Sequence, residues 1–432
     1  MGRPHGRKNA STPTSRLFLM NSTSPMNISP TKSRAMSDRD DLKIIEDTTL
    51  ELLAYCRANE WAGYDPYDAL NSRVFKALPF LDFKLARLAL TQGVKRCPIN
   101  LRPLLLVPKT PNPKGIALFL SSLIKLSKIG LVDGDKEIDM MADKLFALRS
   151  ADERYSCWGY NFDWQTRGEL VPKGFPNIIC STFAANALLD AYEKSQKSKW
   201  LDAALSAADF IIDVLFWRDR GSIACFSYTT LGRSEIHNAN LLGAALSCRI
   251  SRISGQRRFL EPALDSARYS VGKQHKDGSW EYSESPSQRW IDNFHTGFNL
   301  VALRQIKKYS GTAEFDFAFR RGLEFYRDHF FREDGAPRYL HDATYPIDIH
   351  SVSQSVITLV ELKDFAEGNI NLAQSVLNWG LRNMWDARGF FYFQKLPHFT
   401  VRIPFMRWSQ AWMLMALSTY LEDHYNHSNL SR

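Results

Sequence analysis

QHKDGSWEYSESPSQRWIDNFHTGFNLVALRQI, residues 274–306, contains one complete statement of the pattern that decides the fold. Its first part is a turn. Asp277 and Gly278 stand ahead of a short aromatic stretch, and glycine there suits a backbone passing through positive φ. Its last part is a helix, apolar or small on most faces, with Ala302 followed by Leu303 near its centre. Both parts recur. A small residue followed by Leu stands at Ala187, Ala245, Ala302, Thr358 and Ala416, at spacings of 58, 57, 56 and 58. Glycines that open an aromatic, strand-like stretch stand at Gly221, Gly278, Gly335 and Gly389, at spacings of 57, 57 and 54. A fixed period of this order marks an array of one repeated structural unit.

The helices between these markers are of two kinds. STFAANALLDAYE, HNANLLGAALSCRI, HTGFNLVALRQI, HSVSQSVITLVEL and RWSQAWMLMALSTYLE are apolar or small nearly all round, as helices buried on every side must be. WLDAALSAADFIIDVLF, RRFLEPALDSARYSVGKQ, FDFAFRRGLEFYRDHFF and LAQSVLNWGLRNMWD carry one apolar stripe and a charged back. Alternation of the two predicts an all-α fold: an (α/α) toroid, with an inner ring of helices inside an outer ring and short extended turns between hairpins. KGIALFLSSLIKLSKIG followed by DKEIDMMADKLFALRS reads as an earlier hairpin, so five to six are expected. A flat solenoid of helix pairs is the alternative, but its repeats run shorter, at roughly 34 to 47 residues. The predicted organisation is a basic, disordered tail over residues 1–40 and a single toroid over 41–425.

The net charge of +9 on 432 residues invites a nucleic-acid reading, but residues 1–37 hold six basic and no acidic residues, leaving +3 for the rest. That tail is rich in Ser, Thr, Pro and Asn and lacks hydrophobic periodicity, which argues against a packed structure there and against nucleic acid as the partner. No apolar run approaches the roughly 18 residues of a membrane helix, and Leu17 to Met20 is too short for a secretory signal. An integral membrane segment is therefore not expected, and a cytoplasmic location is. The six cysteines are scattered without a Cys-x-x-Cys pair, which assigns them to packing and predicts neither a metal site nor a cofactor.

The Gln-x-x-Asp-Gly-x-Trp core of residues 274–280 resembles the QW repeat of terpene cyclases, which share the toroid. Their chemistry needs an acidic cluster, and the one Asp-x-Asp-Asp here, residues 38–41, precedes the repeats, where it suits a helix cap or a solvated turn; a terpene-cyclase-like toroid is the remote alternative. WAGYDPYDALNS (61–72), KRCPINLRPLLLVPKTPNPKG (95–115), CWGYNFDWQTR (157–167), FPNIICSTFAANALLDAYE (175–193), DNFHTGFNL (292–300), YPIDIHSVSQS (345–355) and FMRWSQAW (405–412) resemble, in that order, a family of bacterial proteins encoded in extracellular and capsular polysaccharide biosynthesis clusters. Those proteins are similar to the six-hairpin glycosidase-like superfamily. The resemblance spans residues 50–422 and implies a carbohydrate setting, with a poly- or oligosaccharide and other polysaccharide-assembly proteins as partners. It transfers no catalytic residue.

Three inner helices begin with the same device. A carboxylate stands ten residues ahead of the marker, with a histidine two or three positions later: Glu235 and His237, Asp292 and His295, Asp348 and His350. Such a histidine lies roughly 12 Å along the axis from the marker, at the helix N-terminus, and in a toroid the inner N-termini meet at one mouth. Capping accounts for the acids. It does not account for three histidines in register, for Asn238, Asn240, Tyr345 and Gln354 beside them, or for Arg407 and Trp408 at the corresponding place in the last repeat. Trp158, Tyr160, Asp163 and Trp164 form a loop expected over the same mouth, as core filler or as a lid. Trp61, Tyr64, Asp65, Tyr67 and Asp68 pose the same choice. Aromatic faces with polar groups between them are what a sugar site requires.

Three functions fit this list. Glycoside hydrolysis needs two carboxylates roughly 5 to 9.5 Å apart, and Asp163 with Asp292 or Asp348 are the candidates. Elimination or epimerisation of a uronate needs a base beside a neutralised carboxylate, and His237, His295, His350, Tyr345, Asn238 and Arg407 fit that chemistry better. Converging helix N-termini favour an anionic ligand. The third is a non-catalytic glycan-binding or scaffold protein of polysaccharide assembly.

Overall fold

The computed structural model describes residues 38–151, 154–166, 169–221 and 223–430. Most of the residues of the expected basic tail lie outside this range. Helix α1 (Asp38–Ala58) already begins within it, so the Asp-x-Asp-Asp run is the first turn of a helix and not a turn ahead of one. The helices that follow are α2 (Arg73–Lys76), α3 (Lys84–Arg96), α4 (Pro113–Lys128), α5 (Asp135–Ala147), α6 (Ile178–Ser195), α7 (Ser198–Phe210), α8 (His237–Ser254), α9 (Leu260–Gly272), α10 (Asn293–Ser310), α11 (Asp316–His329), α12 (Ile349–Glu361), α13 (Asn369–Met384) and α14 (Trp412–Leu430).

Six of them form a closed inner ring. Helix α4 packs on α6, α6 on α8, α8 on α10, α10 on α12, α12 on α14, and α14 returns to α4. The closing joint is both apolar and ionic: Glu422 of α14 accepts from Lys125 at 2.6 Å and Lys128 at 2.9 Å on α4. Inner helices are buried nearly all round, and small residues let them approach. A Cβ on Gly297 of α10 would stand 2.6 Å from Thr358 Oγ1 of α12. Helices α5, α7, α9, α11 and α13 lie outside, each packed on the inner helix that precedes it. Helix α1 is the sixth outer helix, held by Arg57 to Glu137 of α5 (2.5 Å) and by Tyr425 of α14 to Glu46 (2.5 Å). The fold is an (α/α)6 toroid, as the alternation of buried and one-sided helices predicts. The sixth outer helix was obscured because residues 59–112 separate α1 from the first inner helix, α4.

The QW-like turn is structural. Gln274 Nε2 donates to Gly278 O at 2.9 Å and to Ala318 O of α11 at 2.8 Å, tying one repeat to the next. The buried Trp280 indole donates to Ser270 O at 3.0 Å. Gly278, Gly335 and Gly389 do take positive φ, at 95°, 85° and 88°. Gly221 does not. Its backbone is held instead by the Asp219 carboxylate, which accepts from the Gly221 and Ile223 amides at 2.9 and 3.0 Å. Five of the six cysteines are buried in packing positions and Cys97 is half-buried. Among the described residues no helix is long and apolar enough to cross a membrane.

Candidate active site

At the N-terminal ends of the inner helices lies a cavity of about 270 Å³. Every inner helix contributes to it from its first turn or the turn just before: Lys114 on α4, Ile179 on α6, Asn238 on α8, Phe294 and His295 on α10, His350 on α12, and Arg407 and Trp408 ahead of α14. The predicted mouth therefore exists. Side-chain caps fix these turns, with Asn112, Asn177, Asp292 and Asp348 accepting the free amides of α4, α6, α10 and α12. Residues 406–411 form a wider π-helical turn, which re-aims Arg407 and Trp408 inward.

Asp292 has a second task besides the cap. Its Oδ1 accepts the His295 amide at 2.9 Å, while Oδ2 accepts His295 Nδ1 at 2.6 Å and the Trp290 indole at 2.9 Å. A ring nitrogen that donates to a buried carboxylate carries the proton, so Nε2 of His295 is the basic nitrogen on the cavity wall. The Tyr282 ring lies 4.5 Å from the imidazole and stacks on Trp290 at 4.6 Å and 12°.

His350 is a different kind of histidine. It lies between Phe294 (4.4 Å, 4°) and Trp412 (4.6 Å, 29°), with the Trp408 edge 4.7 Å away. Burial, aided by Lys114 and Arg407, holds its pKa well below the ordinary histidine value, so the ring is neutral. Neither ring nitrogen has a hydrogen-bond partner among the described residues, and neither does Oδ1 of Asn238. Buried polar atoms without partners are uncommon and mark groups held ready for something else.

Two cations face the same space. Arg407 is buried and doubly bonded to Asp65, Nε to Oδ2 at 2.6 Å and Nη2 to Oδ1 at 2.8 Å. Asp65 is in turn set by Asp68 and Arg102: Asp68 accepts the Asp65 amide at 2.9 Å, and Arg102 donates to Asp68 at 2.6 Å and to Asp65 O at 2.7 Å. Burial raises the Asp68 carboxyl to about 6. Lys114 lies in a box of rings, its Nζ 4.4 Å from the Phe183 centroid, 4.9 Å from Trp412 and 5.5 Å from Phe298. Burial, with Arg407 adding to it, lowers the ammonium to about 7.

The structure sorts the predicted residues. It brings His295, His350, Asn238, Tyr160, Trp164, Arg407 and Trp408 to the cavity, with Asp292 one bond behind His295. Asp348 does not reach the wall. It accepts the Trp408 indole at 2.8 Å and Gln394 at 2.6 Å, and burial raises its carboxyl. The Glu235–His237 unit departs from the other two. Glu235 caps nothing at α8 and instead accepts the Tyr269 hydroxyl, and His237 is buried between Ser270 (3.1 Å) and Glu284 (3.0 Å). Asn240 binds Phe226 N, Ser266 O and Ser270, and Gln354 binds Thr358, both inside the packing. Trp158 is core, its indole donating to Leu145 O. Asp163 faces Lys76 (2.9 Å) and the Lys173 amide (2.7 Å) away from the lining, and Tyr345 is exposed outside it.

Lys114 was the residue sequence reasoning missed. Its signal is there, a lone charge in the first turn of an inner helix, directly after the capping pair Asn112 and Pro113. Phe298 of α10 was missed as well, and so were Tyr228, Tyr282, Trp290 and Tyr339, because loop aromatics between repeats carry no register. No Asp or Glu stands among the described residues that line this cavity. Nor could any group of three or more His, Cys, Asp or Glu side chains among the described residues hold a metal ion.

In sequence, no protein-family model matches the chain, and a search of curated proteins finds no match. In structure it is similar to an unsaturated glucuronyl hydrolase specific for heparin, with a TM-score of 0.59 and 13% identity over 88% of this chain and 97% of that one. It is similar as well to a cellobiose 2-epimerase from Bacillus thermoamylovorans (TM-score 0.57, 11% identity, 74% and 90% covered). An alpha-mannanase from Bacteroides thetaiotaomicron gives a TM-score of 0.55 at 13% identity, with 74% and 87% covered. The fold is that of six-hairpin glycosidase-like enzymes. At these identities the likeness establishes the architecture and nothing finer.

Proposed function

We propose that this chain is a carbohydrate-active enzyme acting on a uronate-containing glycan by abstraction of the proton next to the carboxylate, as a lyase or an epimerase. The observation that carries this reading is the pairing of an Asp-oriented histidine with two cations in an aromatic cavity whose described lining lacks a carboxylate. Paired-carboxylate hydrolysis loses its candidates, since Asp163 and Asp348 are engaged elsewhere and Asp292 is committed to His295.

In this reading Lys114 and Arg407 hold the sugar carboxylate and stabilise the enolate-like charge that grows on it. His295 Nε2 takes the proton, and Asp292 stabilises the resulting imidazolium. Tyr282 and Tyr339, whose phenols burial keeps protonated, are the candidate acids. They would protonate the leaving oxygen in elimination, or return a proton to the opposite face in epimerisation. Trp164, Trp290 and Trp408 offer faces for sugar rings. A cavity near the lower end of the usual range, roughly 300 to 1,000 Å³, admits a short stretch of glycan. A role in polysaccharide biosynthesis, alongside other assembly proteins, is supported by the motif order alone.

The test is incubation with uronate-containing oligosaccharides in deuterated buffer. Elimination gives an unsaturated product absorbing near 235 nm, and epimerisation gives deuterium at the reacting carbon without that absorbance. New reducing ends with neither signal would overturn the proposal in favour of hydrolysis. Binding with no change would favour the scaffold reading.

A further inference from the structure

The long connection between α1 and α4 does more than reach the cavity. Its first and last parts pair at a neck, Ala62 with Pro111 and Gly63 with Thr110. Residues 73–109, between them, form an insertion carrying α2 and α3. It holds eight basic residues and one acidic residue, a net +7. With +6 in residues 1–37, the remainder of the +9 chain is therefore net −4. The positive charge of the folded part is concentrated in this one insertion.

The same insertion is the most apolar exposed surface of the protein. Phe80, Phe83, Leu85, Ile99, Leu104 and Leu106 are each more than half exposed, and among the large hydrophobic side chains of the described residues only Phe317 is otherwise so. Arg73, Lys84, Arg96 and Lys109 are exposed with them. Helix α3 turns Thr91 and Val94 inward and leaves Leu85, Ala89 and Arg96 outward at helical spacing. This is not a loosely tethered segment. Arg102 is buried against Asp68, Ser72 donates to Leu105 O at 2.7 Å, Arg87 donates to Gln165 at 2.8 Å, and Lys95 donates to the cavity residue Tyr67 at 2.7 Å. Exposed apolar side chains on a firmly anchored base need an occupant.

We infer that residues 73–109 dock the protein on an anionic lipid surface, with the exposed leucines and phenylalanines entering the headgroup boundary and the lysines and arginines meeting lipid phosphate. Both halves of the surface are used by this partner. A second copy would bring +7 against +7. Nucleic acid would engage the cations, but four of the six exposed side chains, Leu85, Ile99, Leu104 and Leu106, are aliphatic and offer bases no face to stack on. The inference stands independently of what the cavity does.

The test is co-sedimentation of the full chain with vesicles of phosphatidylcholine alone or mixed equally with phosphatidylglycerol. Binding is expected to the mixed vesicles and to fall at least 10-fold in the exposed triple variant Phe80→Ser, Leu85→Ser, Leu104→Ser. That variant keeps residues 1–37 and every basic residue, and an unchanged thermal melt checks its fold. In a separate Leu104→Trp variant the mixed vesicles shift indole emission to the blue. Undiminished binding by the triple variant, no emission shift, or sedimentation traced to self-association without vesicles would each overturn the proposal.

Discussion

Lys114 is the residue whose replacement tests the cavity's electrostatics without any assay of activity. The perturbation is Lys114→Met, which keeps the length of the chain and removes the charge. Lowering an amine from 10.5 to about 7 by burial corresponds to roughly 4 to 5 kcal/mol of disfavoured charge, at about 1.36 kcal/mol for each pH unit. The ammonium's contacts with Phe183, Phe298 and Trp412 are part of that balance. A gain in stability of roughly 4 kcal/mol at pH 6 is expected. The folded pKa lies below the unfolded one, so the cost in the natural protein is fully present below about pH 7. It fades as pH rises toward 10.5, where the unfolded chain also gives up its proton. Urea midpoints for both proteins at pH 6, 8 and 10 therefore converge with rising pH. A Lys114→Met protein that is less stable at pH 6, or a difference that stays flat from pH 6 to 10, would refute the reasoning.

Asp292→Asn keeps a good helix cap, so melting changes little, but it removes the charge behind His295; turnover falls on the order of 10² to 10⁴ with KM little altered. Arg407→Met leaves Asp65 buried without its partner and lowers stability by about 3 to 5 kcal/mol in urea titrations, and adding Asp65→Asn restores part of the stability but no activity. Binding of a uronate at pH 8 takes up protons as Lys114 recharges, visible as a dependence of calorimetric heats on buffer ionisation enthalpy that Lys114→Met abolishes. Gly335→Ala, whose Cβ would stand 2.6 Å from Ser375 O at φ 85°, costs about 1 to 3 kcal/mol, whereas Gly221→Ala costs under about 0.5 kcal/mol in the same thermal melts.

The architecture was legible because it is periodic. Buried inner helices need small or apolar residues on all faces, outer helices need one stripe, and the spacing between Ala187, Ala245, Ala302, Thr358 and Ala416 repeats that demand. The meeting of inner N-termini follows from the same regularity, which is why His295, His350, Asn238, Arg407 and Trp408 were found. Register does not report which way a side chain turns. His237 occupies the same place in its repeat as the cavity residue His350, yet Ser270 and Glu284 draw it into the packing. Lys114 escaped because its repeat lacks the acid-histidine signature, and the mouth's tyrosines because they sit on connections outside the period.

The ring's closure has a consequence for how the chain is made. The cavity needs Lys114, on the first of the six inner helices in chain order, and Trp408 just ahead of α14, the sixth. A nascent chain halted before α14 lacks the wedge that joins both ends. Its α4 then has an apolar flank facing water, while the hairpins behind it can already stack on one another. The complete cavity thus arrives in one step with α14, and the interval before it is when this protein most needs protection from aggregation.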